Sequence, residues 1–310
     1  RRMTVRHFFC YCDWIGQPPE DYSVKQDIDI YNMLMPRLNE EEPGNFTDHF
    51  GDVILDKSKV NVYLDSNEPD FYAPYPMEML LEKAPHFDVI LTRRPELLKF
   101  PNAKLFLFGT HWVNGYETTF DDKKNAISYA MTSKTIDARF DALTEYGIQP
   151  AIGYYVRHSI GENFEKLQEV SNLQLDGYNS ERYPTSYTGL QHTLSASDDG
   201  KLELMKYKFH VAVENSALPN YMTEKLHDCF MTKTVPIYFG CPNVSDFYNM
   251  DGILQFNSSE ELIDILKSLD DNSYDKMKDA VEDNHRRFLE IDDGGFQGKF
   301  WKAIEKSVIK

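Results

Sequence analysis

The chain has 310 residues, 41% hydrophobic and 14% aromatic, with a formal net charge of −17. That is enough apolar material for one large core or two ordinary ones, which excludes wholesale disorder. The acidic balance argues against nucleic acid or an anionic membrane surface as partner, although a local cluster of cations at helix N-termini still suits a small anionic ligand.

The first half alternates strand-like and helix-like segments. Val5–Cys12 reads as a strand, and Ile28–Leu38 as an amphipathic helix with Ile30, Leu34 and Leu38 on one side. Val53–Leu55 and Val60–Leu64 are short apolar runs, Met77–Lys83 is helical, and Asp88–Leu91 and Leu105–Phe108 are strands. Residues 114–125, NGYETTFDDKKN, are polar and read as a linker. The alternation then restarts with Ile127–Met131 as a strand, Ile136–Tyr146 as a helix and Ile152–Val156 as a strand. Residues 171–200, rich in Ser, Asn, Gly, Thr and Asp, read as an irregular excursion. Strand 209–213, helix 222–232, strand 235–239, short strand 253–256 and helix 259–269 follow. A helical tail runs from Tyr274, broken at Gly294–Gly295. This rhythm predicts two Rossmann-like α/β domains facing a cleft, residues 1–120 and residues 121–310, the second with the C-terminal helices.

No apolar run approaches the roughly 18–20 residues of a membrane span, and no signal-peptide pattern opens the chain. The expectation is a cytoplasmic protein, with a removed N-terminal anchor left open because the sequence starts at Arg1. Cys10, Cys12, Cys229 and Cys241 lack metal-ligand spacing and read as reduced thiols. The N-x-S/T triplets at Asn45, Asn243 and Asn257 carry little weight without a secretory signal.

One stretch concentrates chemistry. Between the apolar runs Phe209–Val213 and Val235–Phe239 lies ENSALPNYMTEKLHDCF, residues 214–230. Glu214 and Asn215 emerge at a strand's carboxyl end, where ligands of open α/β sheets sit. Asn220 or Thr223 can cap the next helix, whose apolar stripe is Met222, Leu226 and Cys229/Phe230. Glu224 suits the positive end of that helix. Lys225 does not, unless an anion binds there and the lysine joins the backbone N–H groups in holding it. Tyr221 can flank a base or sugar ring. Taken singly, each of these residues also has a plain structural use; their concentration at one strand end is what points to a site.

FHVAVENSALPNYMTEKLHDCFMTKTVPIYFGCPNV, Phe209–Val244, closely resembles the donor-binding segment of the α-1,3-fucosyltransferase family: an apolar strand, E-N-S, Y-x-T-E-K, a helix, T-V-P-I-Y and G-x-P. Outside it the resemblance thins, and it is weak before residue 127. It implies a GT-B-like fold and an inverting enzyme that moves L-fucose from GDP-fucose to a hydroxyl of a glycan acceptor. No cofactor or metal is then required. Carried over by position, Glu224 contacts the fucose, Lys225 the diphosphate, and Tyr221 lies near the donor. Glu214 and Asn215 shape the pocket. MTSKTIDARFDAL (Met131–Leu143) is similar to the family's turn before a nucleotide-reaching arginine, which points to Ser133, Lys134 and Arg139; a solvent-facing helix arginine is the alternative. The family's general base, a glutamate after a strand, matches Glu68 in Asn67-Glu68-Pro69, with Asp65 as competitor.

Two other readings stay open. A metal-dependent GT-A type glycosyltransferase using another nucleotide sugar needs a D-x-D at a strand end. Asp27-Ile28-Asp29 has the letters but is expected to enter a helix. A non-catalytic nucleotide-sugar-binding protein would keep Glu224 and Lys225 without a working base.

Overall fold

The structure, a computed structural model, describes residues 3–8, 15–32, 38–39, 42–46, 55–65, 77–134, 152–197 and 199–309. It divides into two compact units. The first is built on Arg1–Phe108 together with Asp292–Lys310. Its strands are β1 (Val5–Phe8), β2 (Ile28–Asn32), a small antiparallel pair β3 (Leu38–Asn39) and β4 (Glu42–Phe46), then β5 (Val60–Leu64), β6 (Val89–Thr92) and β7 (Ala103–Leu105). Among the described residues a parallel sheet runs in the order β1-β2-β5-β6-β7.

Strand periodicity splits the side chains of this sheet between two cores. Ile28, Ile30, Val62, Leu64, Val89 and Leu91 pack on one face with Phe300, Trp301 and Ile304 of the C-terminal helix Gly295–Val308. Tyr31, Tyr63 and Ile90 pack on the other with Leu80 of α1 (Met77–Lys83), Ala84 and Phe87. Both faces are covered, as parallel sheets require.

The second unit is built on Gly109–Ile136 and Ala151–Ile291. Its sheet, β8 (Lys124–Met131), β9 (Leu175–Ser180), β10 (His192–Leu194), β11 (Tyr207–Val213), β12 (Val235–Phe239) and β13 (Leu254–Gln255), is parallel throughout in the order β10-β9-β8-β11-β12-β13. The helices are α2 (Ile152–Glu162), α3 (Phe164–Val170), α4 (Gly200–Leu204), α5 (Glu224–Met231), α6 (Ser259–Ser268) and α7 (Ser273–Asp292). Ile127, Tyr129, Phe209, Val211, Ile237 and Phe239 form the core with Phe164 and Leu262. No helix among the described residues is long and apolar enough to cross a membrane.

The two α/β units are as expected; several details are not. Ile28–Asn32 is a strand and not the start of a helix. Its hydrogen-bonded neighbours β1 and β5 lie on both sides, and Ile28, Asp29, Ile30 and Tyr31 are all buried. Asp27-Ile28-Asp29 therefore opens a strand. Asp27 accepts the Thr4 N–H at 2.8 Å, and Asp29 is paired with Arg6 and Lys59. Ile152–Val156 belongs to a helix and not to a strand: Gly153, Tyr154, Ile160 and Gly161 are buried at helical spacing, while Ile152 and Tyr155 are exposed. Gly153 is needed there, since a Cβ would lie 1.7 Å from the Glu214 carbonyl oxygen. The polar stretch 171–200 contains β9 and β10. Within the expected linker, Tyr116–Thr119 forms a 3-10 turn, and Lys124 and Asn125 already belong to β8. The expected boundary at 120/121 differs from the observed change at 108/109. The last helix belongs to the first unit, because its aromatic stripe has a sheet face there to cover. The helix expected at Ile136–Tyr146, Cys10 and Cys12, and most of Val53–Leu55 lie outside the described residues.

Candidate functional site

β11 lies between β8 and β12, so its end is flanked on both sides by strand ends of the same direction. Glu214 follows it directly, its N–H bonded to the Phe239 carbonyl at 2.8 Å. Its carboxylate, fully buried, turns to the start of α5: Oε1 accepts the Thr223 N–H at 2.8 Å and Oε2 the Thr223 hydroxyl at 2.5 Å. Thr223, and not Asn220, is the N-cap, its Oγ1 3.4 Å from the Lys225 N–H. Asn220 instead takes a left-handed turn at φ 59°, its N–H given to Asn243 Oδ1 at 2.9 Å. Asparagine tolerates that conformation better than most residues.

The first turn of α5 is thus fixed from below, and its charges gather above. Glu224 Oε1 lies 3.1 Å from Lys225 Nζ and 3.2 Å from Lys201 Nζ. Lys201, on α4, also reaches Asp228 Oδ2 at 3.3 Å and sits 4.5 Å from the ring centre of Trp112. Asp228 follows Glu224 by four residues, on the same helix face. Its other oxygen accepts the N–H groups of Trp112 at 2.7 Å and Val113 at 3.3 Å. The segment Gly109–Val113 is thereby laid against α5. Gly109 approaches so closely that a Cβ would lie 2.2 Å from the Met222 carbonyl oxygen.

The carboxylates differ in their electrostatics. Burial pushes Glu214 up to about 7, a rise that Lys225 and the Thr223 donors oppose. Burial would raise Glu224 as well, but Lys201 and Lys225 together hold it well below the ordinary range. Burial raises Asp228, against Lys201 and the Trp112 N–H. Beneath the site His210, bonded to the Ser128 hydroxyl at 2.8 Å, is pushed down to about 3 by burial and by Lys201.

Asn215 sits one residue along, its side-chain oxygen accepting from Arg157 of α2. The guanidinium lies 4.4 Å from the centre of the Tyr154 ring. Tyr221 is buried within the same loop. Glu214, Asn215, Tyr221, Glu224 and Lys225 are therefore brought together. Ser133 and Lys134 follow the neighbouring strand β8 on the same sheet edge. There the Ser133 N–H bonds the Tyr183 carbonyl at 2.8 Å, and exposed Lys134 lies 5.0 Å from the Tyr183 ring centre. Arg139 and Glu68 lie outside the described residues. Asp65 follows β5 in the first unit. It is buried, bonded to the Thr92 hydroxyl at 2.7 Å and paired with Arg94 Nε at 2.9 Å.

Sequence reasoning missed Lys201, Asp228 and Arg157. Asp228 was findable from its i+4 spacing to Glu224. Lys201 was not, because it lies 23 residues upstream in a polar stretch and only the chain's return past α5 pairs them.

Residues 162–278 match the family model described as glycosyltransferase family 10 (fucosyltransferase), C-terminal part. The chain is similar to α-(1,3)-fucosyltransferase B of Drosophila melanogaster, 29% identical over 46% of this chain and 35% of that protein. It is also similar to the α-(1,3)-fucosyltransferase FucT of Helicobacter pylori, 33% identical over 32% of this chain and 22% of that protein. The aligned parts thus span about a third or less of these relatives. A crystal structure of an α1,3-fucosyltransferase with GDP aligns over 98% of this chain and 90% of its own at 15% identity and a TM-score of 0.49.

Proposed function

We propose that this chain, which carries the C-terminal domain of the family-10 fucosyltransferases over residues 162–278, is an inverting, α-1,3-fucosyltransferase-like enzyme that moves L-fucose from GDP-fucose to a hydroxyl of a glycan acceptor without a required metal. The observation that carries this reading is the β11–α5 junction. In a chain of net charge −17, Lys201 and Lys225 converge on the first turn of a helix whose cap is clamped from below by Glu214. Departure of GDP builds negative charge on the diphosphate. Lys225, at the positive end of α5, takes it up as a cation already in place. Glu224 then contacts the fucose, and Tyr221 flanks the donor. Arg157, held at Asn215, adds a further cation at the strand end, and Ser133, Lys134 and Arg139 serve the nucleotide. Glu68 is the general base. The burial of Asp65 against Arg94 supports that choice, since a base has to reach the acceptor hydroxyl.

The test joins two measurements. GDP-fucose should bind with unchanged affinity in excess EDTA; binding abolished by chelation would favour a metal-dependent enzyme. Glu68→Gln keeps size and hydrogen bonding but cannot accept the acceptor's proton, so transfer should fall by ~10²-fold with donor affinity retained. Normal turnover in that variant would remove Glu68 as the base. Donor binding without turnover on any acceptor would leave a nucleotide-sugar-binding protein.

A further inference from the structure

Two lysines converge on one carboxylate oxygen: Lys201 and Lys225 lie 3.2 and 3.1 Å from Oε1 of Glu224. They are held differently. Lys225 also lies 3.4 Å from the Thr223 hydroxyl and acts on the Glu214 carboxylate. Lys201 is bound on three sides, by Glu224, by Asp228 at 3.3 Å and by the face of Trp112. Asp228 is in turn fixed by two backbone N–H groups.

We infer that Lys201 is a positioning residue, which keeps buried Glu224 paired while Lys225 turns to the diphosphate of the donor. The inference rests on the donor reading above. A buried carboxylate stripped of its cation is costly, so a lone Lys225 could reach a phosphate only by abandoning Glu224. With Lys201 in place the carboxylate keeps one charge partner throughout, so Lys225 can turn without stranding it. Lys201 cannot trade places with it, because its departure would leave Glu224 to Lys225 but strip Asp228 of its cation. Among the described residues, Glu214, His210 and Cys229 also act on this cluster.

The experiment measures GDP affinity by titration calorimetry for wild type, Lys201→Met, Lys201→Arg and Lys225→Ala between pH 6 and 8.5, with melting temperatures as the check on folding. Lys201→Met should bind GDP roughly tenfold more weakly than wild type at the high end of this range. The deficit should shrink toward low pH, where Glu224 can take a proton as Lys225 leaves it. The ratio of the two affinities is the quantity to follow, since the titrations of GDP and Glu214 cancel in it. Lys201→Arg keeps the charge and should restore most of the affinity. A ratio that is near one, or independent of pH, overturns the role of Lys201 while leaving the donor site standing. Wild-type protein that binds no GDP, or Lys225→Ala that binds it normally, overturns the donor reading and this inference with it.

Discussion

Asp65 and Glu214 occupy equivalent places in the two units, each the first residue after a parallel strand and each buried. Their partners differ. Asp65 has its own arginine, Arg94, and a threonine hydroxyl. Among the described residues Glu214 is bonded by the N–H and hydroxyl of Thr223, and Lys225, the cation that acts on it, is paired with Glu224 instead. A carboxylate with a dedicated guanidinium is a strut, its charge cancelled where it stands. A carboxylate held by neutral donors beside a lysine shared with another acid lies in a field that an arriving anion can rearrange. Position at a strand end makes a site available; the division of charge decides whether it is used.

The comparison breaks most visibly at Asp65. Asp65→Ala should destabilise the first unit by about 3–5 kcal/mol, because Arg94 is left as a buried, unpaired charge. GDP affinity of the protein that still folds should be unchanged. A loss below about 1 kcal/mol in a urea titration would mean that the pair is no strut.

Lys225→Ala should show the opposite profile. A charge-assisted phosphate contact is worth about ten- to a hundredfold in affinity, so GDP binding should fall by that much. Stability should move by no more than ~0.5 kcal/mol, because Lys201 remains on Glu224. Calorimetry and a melting curve on one preparation check both halves.

The smallest effect sharpens the contrast through pH. Burial lifts Glu214 from 4.5 to about 7. Between those values the native chain holds a proton that the unfolded chain has released. Stability from this group is therefore fully present below about 4.5, is lost as pH rises through about 7, and is level above that. Glu214→Gln removes this share of the slope. The difference in unfolding free energy between variant and wild type should thus change across that window and flatten above it. Parallel profiles would show that Glu214 is ionised throughout.

The β11–α5–β12 segment was legible because its local signals agree. Val235–Phe239 is an uninterrupted buried strand, Thr223 is a capping residue ahead of an apolar stripe, and each reads the same alone or in the fold. The failures came where local signals were ambiguous. Ile30, Leu34 and Leu38 fit a helical spacing, yet Ile28–Asn32 is a strand, because neighbours on both sides satisfy its backbone. IGYYV carries strand-loving residues, yet Gly153 lets its backbone dock against the end of β11 as a helix. LDGYNS reads as loop by composition, but Asp176 is paired with Lys124 and bonded by Tyr207, and Tyr178 is buried.

By itself, then, the sequence determined the two α/β units in outline, the β11–α5 junction and the cluster of Glu214, Asn215, Tyr221, Glu224 and Lys225, since all of these follow from short-range periodicity, capping and spacing along one segment. Tertiary structure alone decided that Lys201 shares Glu224 with Lys225, that Asp228 ties Trp112 to the helix, that Arg157 meets Asn215, and that the last helix covers the first sheet. Those pairings join residues far apart in the chain. Ion pairing and apolar burial depend on distance in space, and only the closed fold sets that distance.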